Sequence, residues 1–292
     1  MMIRALLTSM MILACVAPAV TTATAQRDFT ERDEVNQTYQ LQPGARVEVS
    51  SIRGSVKIVN SEGATAEVRI IRTARTRADL EYHKIEVQQT GNSLVVRGVQ
   101  EPEGRRERNI QVNHQVILTL PRRIELSVNS ISGSLTAREV DGAVRVNSIS
   151  GSVNIGNISG KLQVNSVSGS VEVGNMGDEA RVSSVSGNVG LGQVNGSLNV
   201  SSVSGSVKTT LVSLNSEGIR INSVSGSVEI AFKSDVNAEF SAQGVSGQVY
   251  LDVPNVIRES EEKSPNVRAR IGVGGTPITI SSVSGNIRLT RS

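Results

Sequence analysis

The side chains that could do chemistry are few in kind and unevenly placed. Serine is abundant, and a serine hydroxyl becomes a nucleophile when a base and an oxyanion site flank it. Here the serines recur in Ser-Gly dipeptides, at Ser132-Gly133, Ser150-Gly151, Ser168-Gly169, Ser186-Gly187 and Ser204-Gly205. A catalytic serine is singular, so this recurrence points to geometry, and none of them stands in a G-x-S-x-G elbow. His83 and His114 are the two histidines. Neither has a Cys, His or acidic neighbour at metal-ligand spacing, and both read as surface or edge-strand residues. Glu172, Asp178, Glu179 and Glu229 are scattered rather than paired as glycoside hydrolysis requires. No phosphate-cradling glycine loop is followed by Lys and Ser or Thr. No catalytic, cofactor-binding or metal site is expected, and no cofactor.

The elements that carry these serines follow a nine-residue beat. From Val144 the chain divides into VRVNSISGS, VNIGNISGK, LQVNSVSGS, VEVGNMGDE, ARVSSVSGN, VGLGQVNGS and LNVSSVSGS. Alternate units carry [NS]-S-[IV]-S-G, so the true repeat is eighteen residues. Residues eighteen apart stack if one turn of a coil takes eighteen residues. Leu126, Val144, Leu162, Ala180 and Leu198 then form one column, and Val128, Val146, Val164, Val182 and Val200 a second. Ile131, Ile149, Val167, Val185 and Val203 form a third, Leu135, Val153, Val171, Val189 and Val207 a fourth, and Val140, Ile158, Met176 and Val194 another. All are expected inside. The step of three from third to sixth position predicts a bend, and Gly at the eighth a tight corner. This predicts an all-β fold, a parallel β-solenoid shaped as a flattened roll with about eighteen residues per turn. Right-handed winding follows from the handedness of parallel crossovers. A left-handed hexapeptide helix fails because Lys161 falls at an interior place, and a calcium β-roll fails for lack of Asp and paired Gly.

Residues 1–25 read as a signal peptide: Arg4, an apolar run to Val20, and a small-x-small site at Ala23-Thr24-Ala25. Cys15, the lone cysteine, leaves with it. Export to the periplasm or cell surface follows, with no later stretch apolar enough to span a bilayer. Residues 26–43 form a polar lead-in, 44–123 an irregular β-rich first part of the solenoid, and 124–292 the regular repeats. Spacing between the key glycines widens to twenty-one at Gly226 and Gly247. A charged loop is expected at about 256–270, after which the array resumes and stops. The stretch from Arg72 to Lys84 is the only plausible helix or long loop. Its arginines, with Arg69, read as a solvated face or as a contact for an acidic polymer or anionic membrane.

A net charge of +3 lacks the excess expected of a nucleic-acid binder, and six aromatic residues offer little for base or sugar stacking. The columns Asn129, Asn147, Asn165, Ser183, Ser201, Asn222 and Ser130, Ser148, Ser166, Ser184, Ser202, Ser223 predict polar ladders between turns. They also offer a regular face to a repetitive partner such as an envelope polysaccharide or protein. Exposed coil ends invite self-association, which Arg288 and Arg291 would blunt.

The chain resembles the bacterial putative-adhesin family of exported β-solenoid domains. QLQPGARVEVSSIRGSVKIV is similar to its opening, VILTLPRRIELSVNSISGSL to its middle, and the recurrent [NS]-S-[IV]-S-G-[SN]-[VLI] to its repeat, from Tyr39 onward. The resemblance implies an adhesin-like or scaffold role without catalysis. The alternative is a polysaccharide-active enzyme on a β-helix, for which clustered acids and aromatics are wanting.

Overall fold

The computed structural model describes residues 30–100, 112–260 and 266–292. The segment read as a signal peptide, with Cys15, lies outside them. The first part holds β1 (Glu31–Gln40), β2 (Ala45–Asn60), β3 (Thr65–Ala74), helix α1 (Arg77–Tyr82), β4 (His83–Thr90), β5 (Ser93–Gln100) and β6 (Val112–Leu120). The lead-in therefore contains a ten-residue strand. The short helix falls inside the stretch singled out for one, with Thr76 as its N-cap.

The repeats alternate long and short strands: β7 (Ile124–Ser132), β8 (Leu135–Ala137), β9 (Val144–Ser150), β10 (Val153–Ile155), β11 (Leu162–Ser168) and β12 (Val171–Val173). They continue as β13 (Ala180–Ser186), β14 (Val189–Val194), β15 (Leu198–Ser204), β16 (Val207–Leu211), β17 (Ile219–Ser225) and β18 (Val228–Phe232). The chain closes with β19 (Ala238–Ser246), β20 (Val249–Asp252), β21 (Val256–Arg258), β22 (Asn266–Ile271), β23 (Thr276–Ser284) and β24 (Ile287–Arg291).

Pairing is parallel and in register at eighteen residues. Val146 lies on Val164 and Val164 on Val182 in the long-strand sheet, and Val153 lies on Val171 in the short-strand sheet. A third face is stitched by the bridges Val140–Ile158, Ile158–Met176 and Met176–Val194. The fold is a β-solenoid, with a third segment per turn beyond the two strands expected. Its spine is aliphatic: Val144, Val146, Val153, Ile155 and Ile158 of one turn are all buried. Such stacks gain stability from apolar area removed from water, about 25 cal/mol per Å².

Corners are made by the Ser-Gly glycines. Gly151 and Gly169 have φ of 121° and 122°, a region side chains rarely occupy. A Cβ on Gly169 would sit 2.6 Å from the carbonyl carbon of Gly151, so the column is closed to any side chain.

The array does not end in chain order. β17 pairs with β23, and β23 with β19, so the last repeat is wedged between two earlier ones. The same holds on the short-strand side, where β24 lies between β18 and β20. Arg288 and Arg291 thus do not guard an end edge: Arg288 stacks 5.2 Å from the Tyr250 ring centroid, and Arg291 pairs with Asp235. The described flanks of the stretch expected as a charged loop are mostly strand, β21 before and β22 after residues 261–265. β21 and β22 run antiparallel to each other, and β22 antiparallel to β19, which caps the coil. At the other end β3 caps β6 and β1 caps β3, both antiparallel. The edge strand β1 carries Glu31, Arg32, Asp33 and Glu34, charges that discourage strand addition.

Candidate functional site

The long strands β7, β9, β11, β13, β15, β17 and β23 build the most distinctive surface. Each alternates strictly through its first five residues. In β9, Val144 and Val146 point in, Arg145 points out, and Ser148 points in again. The expected bend before the sixth position is absent there. Alternation carries on one step longer, so the serine takes the interior place and Ile149 is turned outward. Ladder pairing then jumps from Ser148–Ser166 to Ser150–Ser168, which marks the bend at Ile149 itself.

The third column is accordingly not core. Ile149 is 55% exposed, and Val167 and Val185 are each 49% exposed. With Ile131, Val203, Val224 and Val283 they form a stripe of seven β-branched aliphatic side chains on the outside of the coil. The sixth positions of the alternate units behave as expected, since Val140, Ile158, Met176 and Val194 are buried.

The stripe is one wall of a groove of about 980 Å³ running along the long-strand face. The opposite wall is the Asn129, Asn147, Asn165, Ser183, Ser201, Asn222 column, extended by Ser281. Asn147 Nδ2 donates to Asn129 Oδ1 at 2.7 Å and Asn165 Nδ2 to Asn147 Oδ1 at 2.8 Å, so the expected amide ladder forms. The serine column does not form one. Ser148, Ser166 and Ser184 are buried, and their hydroxyls find no partner. A second set of asparagines, unforeseen, braces the third face: Asn157 Oδ1 accepts from the Asn175 backbone N–H at 3.1 Å, and Asn175 Oδ1 from that of Gln193 at 3.2 Å. Among the described residues no charged or aromatic side chain lines the groove.

Other candidates resolve into structure. His114 is buried, not at the surface, and its ring lies 6.2 Å from that of His83, edge to face. The His114 Nδ1 is 2.9 Å from the Arg53 carbonyl. Burial holds both imidazoles below the usual histidine pKa, and the charges of Arg53 and Arg72 add to the effect at His114. Two neighbours of that kind repel a cation, and among the described residues no group of three His, Cys, Asp or Glu could hold a metal. The arginine cluster is partly consumed internally: Arg72 donates to the Leu80 and His83 carbonyls at 2.9 and 3.0 Å and pairs with Asp33, and Arg69 pairs with Glu34 at 2.8 Å. Glu179 pairs with Lys161 of the preceding rung at 3.4 Å and with Arg181 of its own at 2.6 Å, and Glu229 pairs with Lys208 of the preceding rung at 3.3 Å, so these two acids serve as surface ties. No described helix is long and apolar enough to cross a membrane.

A capped parallel solenoid with a repetitive outer groove defines a surface-presenting repeat protein. The chain belongs to the Toastrack DUF4097 family, whose profile matches residues 44–290. Among solved structures, a putative adhesin from Bacteroides fragilis is 15% identical, with 88% of this chain and 97% of that one covered and a TM-score of 0.51. That likeness shows a shared fold. A putative cell adhesion protein from Clostridium sporogenes is 11% identical over 89% of this chain and 100% of its own, with a TM-score of 0.27. A putative lipid binding protein from Parabacteroides distasonis is 10% identical over 88% and 96%, with a TM-score of 0.31. No curated protein matches the chain.

Proposed function

We propose that the protein is an exported, non-catalytic, adhesin-like or scaffold component of the bacterial cell envelope, in the periplasm or at the cell surface, and that it binds through the groove of its long-strand face. One observation carries the reading. Across the seven rungs the second position varies freely, as Ser127 of β7 gives way to Arg145, Gln163, Arg181, Asn199, Arg220 and Thr279 on the rungs that follow. The outward sixth position is always Ile or Val, although it is half exposed. Strand propensity alone would admit Thr there, and an exposed apolar row along one face marks a binding surface. The leader-like start at residues 1–25 supports export. The engagement of Glu179 and Glu229 in ion pairs, and the lack of charged or aromatic groups in the groove among the described residues, favour binding over turnover.

The test is retention of purified protein on isolated envelope fractions. The wild type is expected to be retained and the double variant Val167→Asp/Val185→Asp to be lost. Equal retention of both, or retention of neither, overturns the assignment of the groove. Cell fractionation checks the location: a cytoplasmic mature chain contradicts it.

A further inference from the structure

We infer that the groove holds an extended aliphatic chain, the acyl portion of a lipid or lipid-anchored envelope component, laid along the stripe. This rests on the groove being the binding surface and names what that surface takes. Three observations lead there. Among the described residues the lining is uncharged, and the surface it exposes is chiefly carbon. An anionic or cationic polymer finds no counter-charge, and a sugar polymer finds no aromatic platform. The polar wall is already engaged where it is best developed, because Asn147 both donates to Asn129 and accepts from Asn165. The floor serines Ser148 and Ser166 have hydroxyls shielded from solvent.

The third observation is metrical. Rungs repeat every ~4.8 Å, so seven of them offer an apolar track of roughly 29 Å. An extended peptide presents same-face side chains every ~6.8 Å and falls out of step with the rungs within two of them. A polymethylene chain has no side groups to keep in register. It slides into contact with every rung and loses no hydrogen bonds on leaving water. The groove, open along its length among the described residues, further predicts that one end of the ligand, its polar head, projects past the aliphatic stripe.

The experiment uses the purified protein with dansyl-undecanoic acid as the probe. Saturable uptake with a blue-shifted emission is expected, displaced by unlabelled long-chain fatty acid. Val167→Asp/Val185→Asp should weaken uptake at least tenfold, and Val167→Thr/Val185→Thr, which keeps shape and strand propensity, several-fold. Arg145→Ala/Arg181→Ala, away from the groove, should leave it unchanged, and circular dichroism should match the wild type in all three. Absence of saturable uptake, or uptake indifferent to the aspartates, overturns the inference. Two other results overturn it in distinguishable ways. Delipidated envelope polysaccharide that binds the wild type but not the aspartate variant, with no probe uptake, leaves the groove as the binding surface and removes its aliphatic ligand. A concentration-dependent dimer in sedimentation, lost in the aspartate variant and again without uptake, assigns the stripe to a second copy of the chain.

Discussion

Gly169→Ala is the sharpest probe of the stacked corners. Gly169 sits at φ 122°, where a residue with a Cβ is strained by about 1–3 kcal/mol. The added Cβ would also lie 2.6 Å from the carbonyl carbon of Gly151, where ordinary contact begins at 3.4 Å. The neighbour cannot give way locally. Gly151 N–H donates to Ser168 O at 3.0 Å, and Gly169 N–H to Ser186 O at 3.0 Å, so opening the contact loosens bonds on both sides of the rung. Two such bonds contribute about 2 kcal/mol net. Together the loss is expected at about 3–5 kcal/mol. Gly63→Ala is the control, because nothing lies within 4 Å of its Cβ direction and its φ is not positive; it should change stability by no more than about 0.5 kcal/mol. Urea denaturation of both, followed by circular dichroism, gives the difference. Hydrogen exchange localises it, because rung interfaces contribute separately in a solenoid. A Gly169→Ala protein within about 1 kcal/mol of wild type would refute the close-stacked corner.

Three further outcomes are expected. Ser166→Ala should stabilise the coil by about 1 kcal/mol in the same denaturation assay, because Ser166 is buried and its hydroxyl is unpartnered; destabilisation would show that the hydroxyl is bonded. Asn147→Ala removes both a donated and an accepted ladder bond and should destabilise by about 1–2 kcal/mol, with Asn199→Ala on the outer face as a neutral comparison. Because burial holds His114 and His83 below the usual histidine pKa, the unfolded chain binds protons first as pH falls below about 6.5. Stability should be full above that pH and decline on acidification toward the folded values, and His114→Gln should flatten that decline; an unchanged slope contradicts the buried imidazole.

The period was legible because a coil repeats one environment per rung: Val146, Val164 and Val182 had to share a fate, whatever that fate was. Which way a column faced was less secure. Ile149 is as apolar as Val146, and composition favours putting it inside. What decides is uninterrupted two-residue alternation from Val144 to Ser148, which the spacing of apolar residues alone conceals. The groove was therefore visible only as its polar half, the Asn and Ser columns. The insertion of β23 beside β17 left no trace in the sequence, since every rung carries the same Ser-Gly signature and any could neighbour any other. The His83–His114 contact joins β4, which pairs with β5, to β6, which pairs with β2 and β3, and nothing in their local sequence hints at it.

The wedged last repeat has a consequence for how the molecule is made. From β7 to β18 each turn needs only the turn before it, so a chain emerging from its N-terminus can wind up as it appears. β20 cannot follow suit, because its rung neighbour is supplied 38 residues later, as the Gln248 and Asn286 pairing shows. Until that segment arrives, β17 and β18 present a bare flank. Completion is a single late insertion, and the interval before it is when a newborn chain is most open to pairing with a sibling.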